Sequence, residues 1–347
     1  MAPCQVPSGP LPSPPAGCLP GPPRPRRPRR PQTRVGPLAR LPNPLPLDVS
    51  RIPPVDQLIF NLPVFALMFA LGLGLTGNWL ALLRSRPGLI AKQLIASCLL
   101  VPLLALVLLK GPLGAAVAPP AQLAIALMAL CPSAPLTLRK VKDHGGDRDL
   151  AALVQVLAAL MAIVSIPLLA DLFRSSFDVQ GWPIEPQQVA NQIISVQLFP
   201  LTLALLVRRW RPDLASRLET PIEKLAGLLL ILLIVFVLIR TFPLLAGYIP
   251  AHGPALLVMG LVVLGSLALG YGLGGPARRE RVTGSLLTSM RNPGLALLFA
   301  SLYAPTPQPV KVGILCFLLI RVLLSIPFLR WLGKEAAIDS SPAAAQV

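Results

Sequence analysis

From residue 57 onward the chain is a succession of apolar runs of about 20 residues, joined by short loops that carry most of the charge. Twenty residues of helix extend about 30 Å, the thickness of a bilayer's hydrocarbon core. A soluble fold has no interior for so many such runs. With 54% hydrophobic and 13% charged residues, the chain also departs from soluble domains, which carry about 25% charge. A porin-like barrel would alternate apolar and polar residues in segments of about ten, and no such alternation occurs. The runs predict nine spans, at about 57–77, 88–110, 120–142, 148–173, 187–208, 222–247, 253–275, 281–303 and 308–332. The expected fold class is an all-α integral membrane protein.

Loop charge tests that count. One alternate set of loops, with the C-terminal segment, holds 17 Lys and Arg, including Arg84, Arg139, Arg148, Arg208 and Arg278; the opposite set holds only Lys110, Arg174, Arg240 and Lys311. The asymmetry predicts a cytoplasmic C-terminus, a cytoplasmic tail over 334–347 and a multi-pass protein of the bacterial inner membrane. It also accounts for the net charge of +17 without nucleic acid, which would need a basic stripe interleaved with aromatics. Nine spans place the N-terminus outside, in conflict with its eight arginines up to Arg51.

Residues 1–50 are a separate region, with 16 prolines, seven arginines and one acid, Asp48. Proline at this density opposes helix and sheet, so a disordered extension is expected. Two readings stay open: a basic tail touching anionic lipid or a partner, or a dispensable extension from a start placed too far upstream.

Several chemistries lack their groups. Cys4, Cys18, Cys98, Cys131 and Cys316 form no CxxC, and His144 and His252 lie in loops, so no zinc site, haem ligand or Ser–His set is expected. No HExxH and no pair of intramembrane Asp residues occurs, so the chain does not read as an enzyme and calls for no cofactor.

Two spans carry breakers near their middles. The third reads Cys131-Pro132-Ser133-Ala134-Pro135-Leu136-Thr137; the eighth reads Met290-Arg291-Asn292-Pro293-Gly294-Leu295. Proline removes a backbone donor and clashes one turn back, and freed polar groups at membrane depth must meet protein or a cavity. The breaks occupy corresponding places in two halves, spans one to four and five to nine. Paired interruptions of this kind point to a transporter's binding site.

At these residues the chain resembles the bile acid:sodium symporter family and its bacterial homologues, over about residues 57–333. The marks are Met68-Phe69-Ala70-Leu71-Gly72-Leu73-Gly74-Leu75-Thr76, Cys131-Pro132, Gly146-Asp147, Leu198-Phe199-Pro200 and Asn292-Pro293-Gly294-Leu295-Ala296. The resemblance implies two inverted five-helix repeats whose fourth helices are unwound and cross. The first family helix has no counterpart here, which accounts for the odd count. It also implies a panel of about 57–77, 187–208 and 222–247, rocking against a core of about 88–173 and 253–332.

The resemblance further implies where sodium would bind, and there the chain departs. The family's sodium positions fall on Ser97, Thr137, Leu138, Ala151, Gln155, Leu287 and Arg291. Its Asn falls on Leu138, and the Glu and Gln before its second break fall on Leu287 and Arg291. A hard cation needs several oxygen ligands, so sodium coupling at these sites is expected to be weak or absent. No metal site is expected.

Arg291 supplies instead a fixed positive charge. A charge at the bilayer centre costs roughly 2.5–3.5 kcal/mol on insertion scales, so it calls for a cavity or a partner. The substrate-binding candidates are Ser133, Thr137, Gln155, Arg291, Asn292 and Arg321, with a small organic anion as cargo. An alternative for Arg291 is that it caps the carbonyls of its own break and binds nothing. The function expected is secondary transport by alternating access. The alternative is a non-transporting membrane sensor or scaffold of the same fold. No oligomeric state is signalled.

Overall fold

The computed structural model describes residues 54–339, apart from 76–78, 133, 135, 178–185 and 305. Contacts divide the chain after Asn43, and the described residues all belong to the second unit, Pro44–Val347. The extension over 1–50, Ser133 and Pro135 therefore lie outside the described residues.

The described residues form helices, with no strand among them. Besides a four-residue helical turn at Pro112–Ala115, they are α1 (Pro54–Gly74), α2 (Trp79–Ser85), α3 (Pro87–Lys110), α4 (Pro119–Leu130), α5 (Thr137–Asp143), α6 (Arg148–Phe177), α7 (186–210), α8 (Pro212–Ala251), α9 (Gly253–Gly272), α10 (Arg278–Ser289), α11 (Pro293–Tyr303) and α12 (Pro307–Asp339). Among the described residues, five stretches are each long and apolar enough to cross a bilayer: α3, α6, Ala190–Trp210 of α7, α9 and Pro307–Leu332 of α12. Asn61–Gly74 and Trp79–Ser85, bent by 83°, would make a sixth span if taken as one.

Two boundaries differ from the sequence reading. The charged stretch before 222, expected as loop, is helical from Pro212, and Arg211 alone separates α7 from α8. Arg211 leaves the helical region (φ −138°, ψ 69°), and Pro212 takes the first helical position, where a missing N–H is not needed. At the other end, α12 runs on to Asp339, through the first residues of the expected tail.

Both α3 and α7 contain a π turn, at Ala96–Leu100 and Ile194–Leu198. The cause is the same in each. Val101 N–H bonds to Ala96 O, and Phe199 N–H to Ile194 O; the next residues, Pro102 and Pro200, have no N–H. The carbonyls of Ser97 and Ser195 are thus left without an intrahelical donor.

Helix α1 packs most extensively on α8 and α7, while α9 packs on α10, α12 and α3, and α12 packs on α4 and α11. Gly72 permits the closest approach of α1 to α7: a Cβ there would lie 2.6 Å from Ala204 Cβ and 2.7 Å from Leu201 O. The interior holds Leu127, Met128, Phe299 and Phe317 with almost no exposure. The outside is apolar too. Leu160, Val164, Leu168 and Leu172 form an exposed stripe at four-residue spacing on α6, a surface suited to lipid rather than water.

The two breaks share a frame. A twelve-residue helix precedes each, α4 and α10. A long helix starts 17 residues after each break's first residue (131 to 148; 290 to 307). Each long helix, α6 and α12, carries an internal proline, Pro167 or Pro327.

Candidate functional site

Helices α4 and α10 end alike. Cys131 leaves the helix at φ −83°, ψ 101°, and Met290 at φ −83°, ψ 90°. The two breaks then hydrogen-bond to each other through backbone: Ala134 N–H donates to Met290 O at 2.9 Å, and Asn292 N–H donates to Cys131 O at 3.4 Å. This meets the requirement that backbone unwound in a dry interior find partners within the protein.

Arg291 lies at that joint, 3% exposed. Its Nε donates to Met128 O at 3.2 Å and its Nη2 to Ala129 O. Its Nη1 faces Ser97 O at 3.0 Å, Ser97 Oγ at 3.2 Å and Thr288 O at 3.4 Å. Each carbonyl is one that the sequence strips of its usual donor. Pro132, four residues after Met128, has no N–H; Ala129 is in the last turn of α4; Ser97 is orphaned by the π turn and Pro102. The N–H of Asn292, which would have returned to Thr288 O, points instead to Cys131 O. The C-terminal ends of α4 and α10 also bring partial negative charge to this spot. One guanidinium answers all of it, as a planar five-donor fork can and a point charge cannot.

The other described residues expected at the site lie on α5, α6 and α12 and at the start of α11. Asn292 caps α11: its Oδ1 accepts Leu295 N–H at 3.1 Å, and Pro293 follows at the first helical position. Thr137 is fully buried at the start of α5, and its hydroxyl has no hydrogen-bond partner among the described residues. Gln155 is buried on α6 and is engaged. Arg321 is on α12, its Nε buried without an acceptor among the described residues. Ala151 and Leu287, two of the positions on which the family's sodium ligands were expected to fall, pack in one apolar cluster with Leu150 and Leu286. Among the described residues no three His, Cys, Asp or Glu side chains gather to hold a metal ion, and Cys98, Cys131 and Cys316 are free thiols.

A crevice partly open to solvent lies beside the first break. Its floor is apolar, from Leu67, Ala70 and Leu71 of α1, Leu136 and Leu138 at α5, and Ala152 of α6. Its mouth is charged, with Arg139, Arg148, Asp149 and Glu223. Arg148 Nη2 is 2.6 Å from Oε1 of Glu219 on α8. Gly74 makes room for this pair, since a Cβ there would lie 2.7 Å from Arg148 Nη2 and 2.9 Å from Glu219 Oε1. Arg291 does not line the crevice. Sequence reasoning missed this site. Its partners are 71 residues apart, and Glu219 and Glu223, one helical turn apart before an apolar run, were its visible trace.

Asp147 Oδ1 accepts Leu150 N–H at 3.0 Å as a helix cap, and Oδ2 is 3.9 Å from Arg86. Arg86 in turn meets Glu280 at 2.6 Å. Glu280 Oε2 accepts Ala277 N–H at 3.3 Å at the start of α10. Gln192 on α7 donates to Asn61 Oδ1 on α1 at 2.9 Å, an interhelical bond of the kind common between membrane helices.

The sequence over residues 61–246, more than half of the chain, matches the model of the Sodium Bile acid symporter family. That stretch takes in α1 from Asn61 onward and the first break with its crevice; the second break lies beyond it. No curated protein matches the chain. With its apolar helices and this match, the chain is a multi-pass membrane protein of the transporter kind and belongs to the Sodium Bile acid symporter family.

Proposed function

We propose that the chain is a secondary carrier that moves a small organic anion by alternating access, with Arg291 permanently holding the place of a dissociable cation. The observation that carries this reading is the guanidinium bonded to Met128, Ala129, Ser97 and Thr288 carbonyls where the two breaks meet. In relatives a sodium ion would neutralise the crossing by gathering oxygen ligands. Here Leu287 and Ala151 offer none, and a tethered cation does the neutralising. Arg291 then acts on an anion through its field and by keeping the crossing open as a rigid joint, since its nitrogens already have acceptors. Thr137, whose hydroxyl has no partner among the described residues, is the polar group at the crossing best able to meet a substrate.

The equal spacing around the two breaks supports an inverted repeat. The mutual packing of α1, α7 and α8 supports a panel that rocks against a core of the remaining helices. The basic stretches at Arg139–Arg148 and Arg278–Arg281 support a cytoplasmic placement for the crevice mouth and the C-terminus, in a bacterial inner membrane. A second reading, a sensor or scaffold without transport, is favoured by the loss of the sodium oxygens at 287 and 291.

Proteoliposome uptake of a panel of labelled organic anions separates these. Saturable flux, unchanged when choline replaces sodium, is the expected result. Flux that requires sodium would overturn the role given to Arg291. Anion binding with no flux of any anion would establish the sensor.

A further inference from the structure

The crevice beside the first break stands apart from Arg291, which does not line it. Its floor is carbon and its rim holds two guanidinium groups, yet one of them is already engaged. The side chain of Glu219, 19% exposed, presses Oε1 against Arg148. The other carboxylate oxygen is 3.9 Å from Nη1 of Arg208. Arg208 is itself anchored, donating to Leu73 O at 2.9 Å and Ser216 Oγ at 3.3 Å. Glu219 thus stands between two cations, one on α6 and one within the bundle of α1, α7 and α8.

We propose that Arg148 recognises the acid group of an amphipathic monoanion, and that Glu219 is its resident counter-ion, displaced by the ligand when it settles in the crevice. This rests on the carrier reading above and gives that carrier its recognition residue. The ligand's apolar body lies on Leu67, Leu71, Leu138 and Ala152. Its acid group replaces the Glu219 carboxylate at Arg148. Glu219 then turns to Arg208, so neither charge is left alone in a shielded place, where an unpaired charge is costly. The exchange removes an ion pair that ties α6 to α8, and so couples the arrival of ligand to separation of the two groups of helices. Arg139, exposed at the same mouth and without an ion pair among the described residues, draws an anion inward. Asp149 and Glu223 on the same rim disfavour a second negative charge, which sets the class at one acid group.

The test uses the full chain in phosphatidylcholine nanodiscs, with octanesulfonate as probe and octanol and octane-1,8-disulfonate as controls. Saturable binding of the monosulfonate is expected, with weaker binding of the disulfonate and none of octanol. Glu219→Gln removes the competitor and should bind the monosulfonate at least about threefold tighter, the scale of a partly exposed ion pair. Arg148→Gln should lose binding about tenfold or more, and Arg148→Lys should retain part of it. If Arg148→Gln does not fold, the exchanged pair Arg148→Glu/Glu219→Arg keeps the tie and should lose the anion. Equal affinity in wild type and Glu219→Gln, or undiminished affinity in Arg148→Gln, would overturn the proposal. So would tighter binding of the disulfonate, or saturation by phosphatidylglycerol in place of the probe. Wild-type anion flux in proteoliposomes together with equal affinities sinks this inference and leaves the carrier standing; absence of any flux removes both.

Discussion

Arg291 donates its Nε–H to the carbonyl oxygen of Met128, 3.2 Å away, an oxygen that Pro132 deprives of its backbone donor. A proline in one break and an arginine in the other are thereby complementary, although 159 residues separate them in sequence (132 to 291). Removing the arginine should leave several buried acceptors unpaired. Arg291→Gln is expected to lower stability by about 2–4 kcal/mol, given about 1–3 kcal/mol for each unsatisfied buried group and partial relaxation. Arg291→Lys keeps the charge but not the fork and should fall between. Thermal unfolding in detergent reads both; an unchanged midpoint for Arg291→Gln would contradict the capping role.

Replacing the tethered cation by a mobile one should be possible. The double variant Leu287→Glu/Arg291→Gln returns the acid and amide of the family pattern to the crossing. It should acquire a sodium-dependent rise in unfolding temperature that the wild type lacks, worth about 1.4 kcal/mol at sodium ten times its Kd. Potassium at equal ionic strength is the control. A double variant indifferent to sodium would show that the crossing has lost more than two ligands.

The two helix breaks were legible in the chain; their chemistry was only half so. Pro132 and Pro293 announce interrupted helices because no other residue lacks a backbone donor, and the Asn292-Pro293 pair announces a cap and first turn. The partners of Arg291 were harder. An arginine in an apolar span prompts a search for side-chain acceptors, and none of the right charge exists nearby. Main-chain carbonyls carry no letter of their own, yet counting four residues back from Pro132 leads to Met128. The crevice was not legible, because it arises where α5 and α6 approach α1 and α8. The Arg148–Glu219 contact that borders it depends on a glycine two helices away. The helix from Pro212 was missed because its charges look like loop, although several of them, Asp213 and Arg217 among them, lie on its exposed face.

Close approach of α1 to α7 depends on one missing methyl group. Gly72→Ala would set its Cβ against Leu201 O and Ala204 Cβ, and backbone cannot swing aside as a side chain can. A loss of about 1–3 kcal/mol is expected. Gly260→Ala, whose Cβ would meet only Leu324 Cδ1 at 3.8 Å, should be neutral or slightly stabilising, as helical glycines replaced by alanine commonly are. Comparing the two midpoints under one condition isolates the packing effect from the propensity effect.

Asn292 has a local duty distinct from that of its neighbour. Asn292→Ala removes the acceptor for Leu295 N–H and should cost about 1 kcal/mol, the usual worth of such a cap. Asn292→Ser retains an acceptor and should cost less. Equal losses for the two variants would mean that the amide serves something other than α11.

A positive charge that is covalently part of the joint between α10 and α11 cannot be released on either side of the bilayer. If Arg291 stands in for a dissociable cation as proposed, each turnover carries only the cargo's own valence, and sodium at the crossing supplies no driving force. On that reading transport runs downhill in whichever direction the cell's own chemistry sets, filling when the compound is consumed inside and emptying when it is made there.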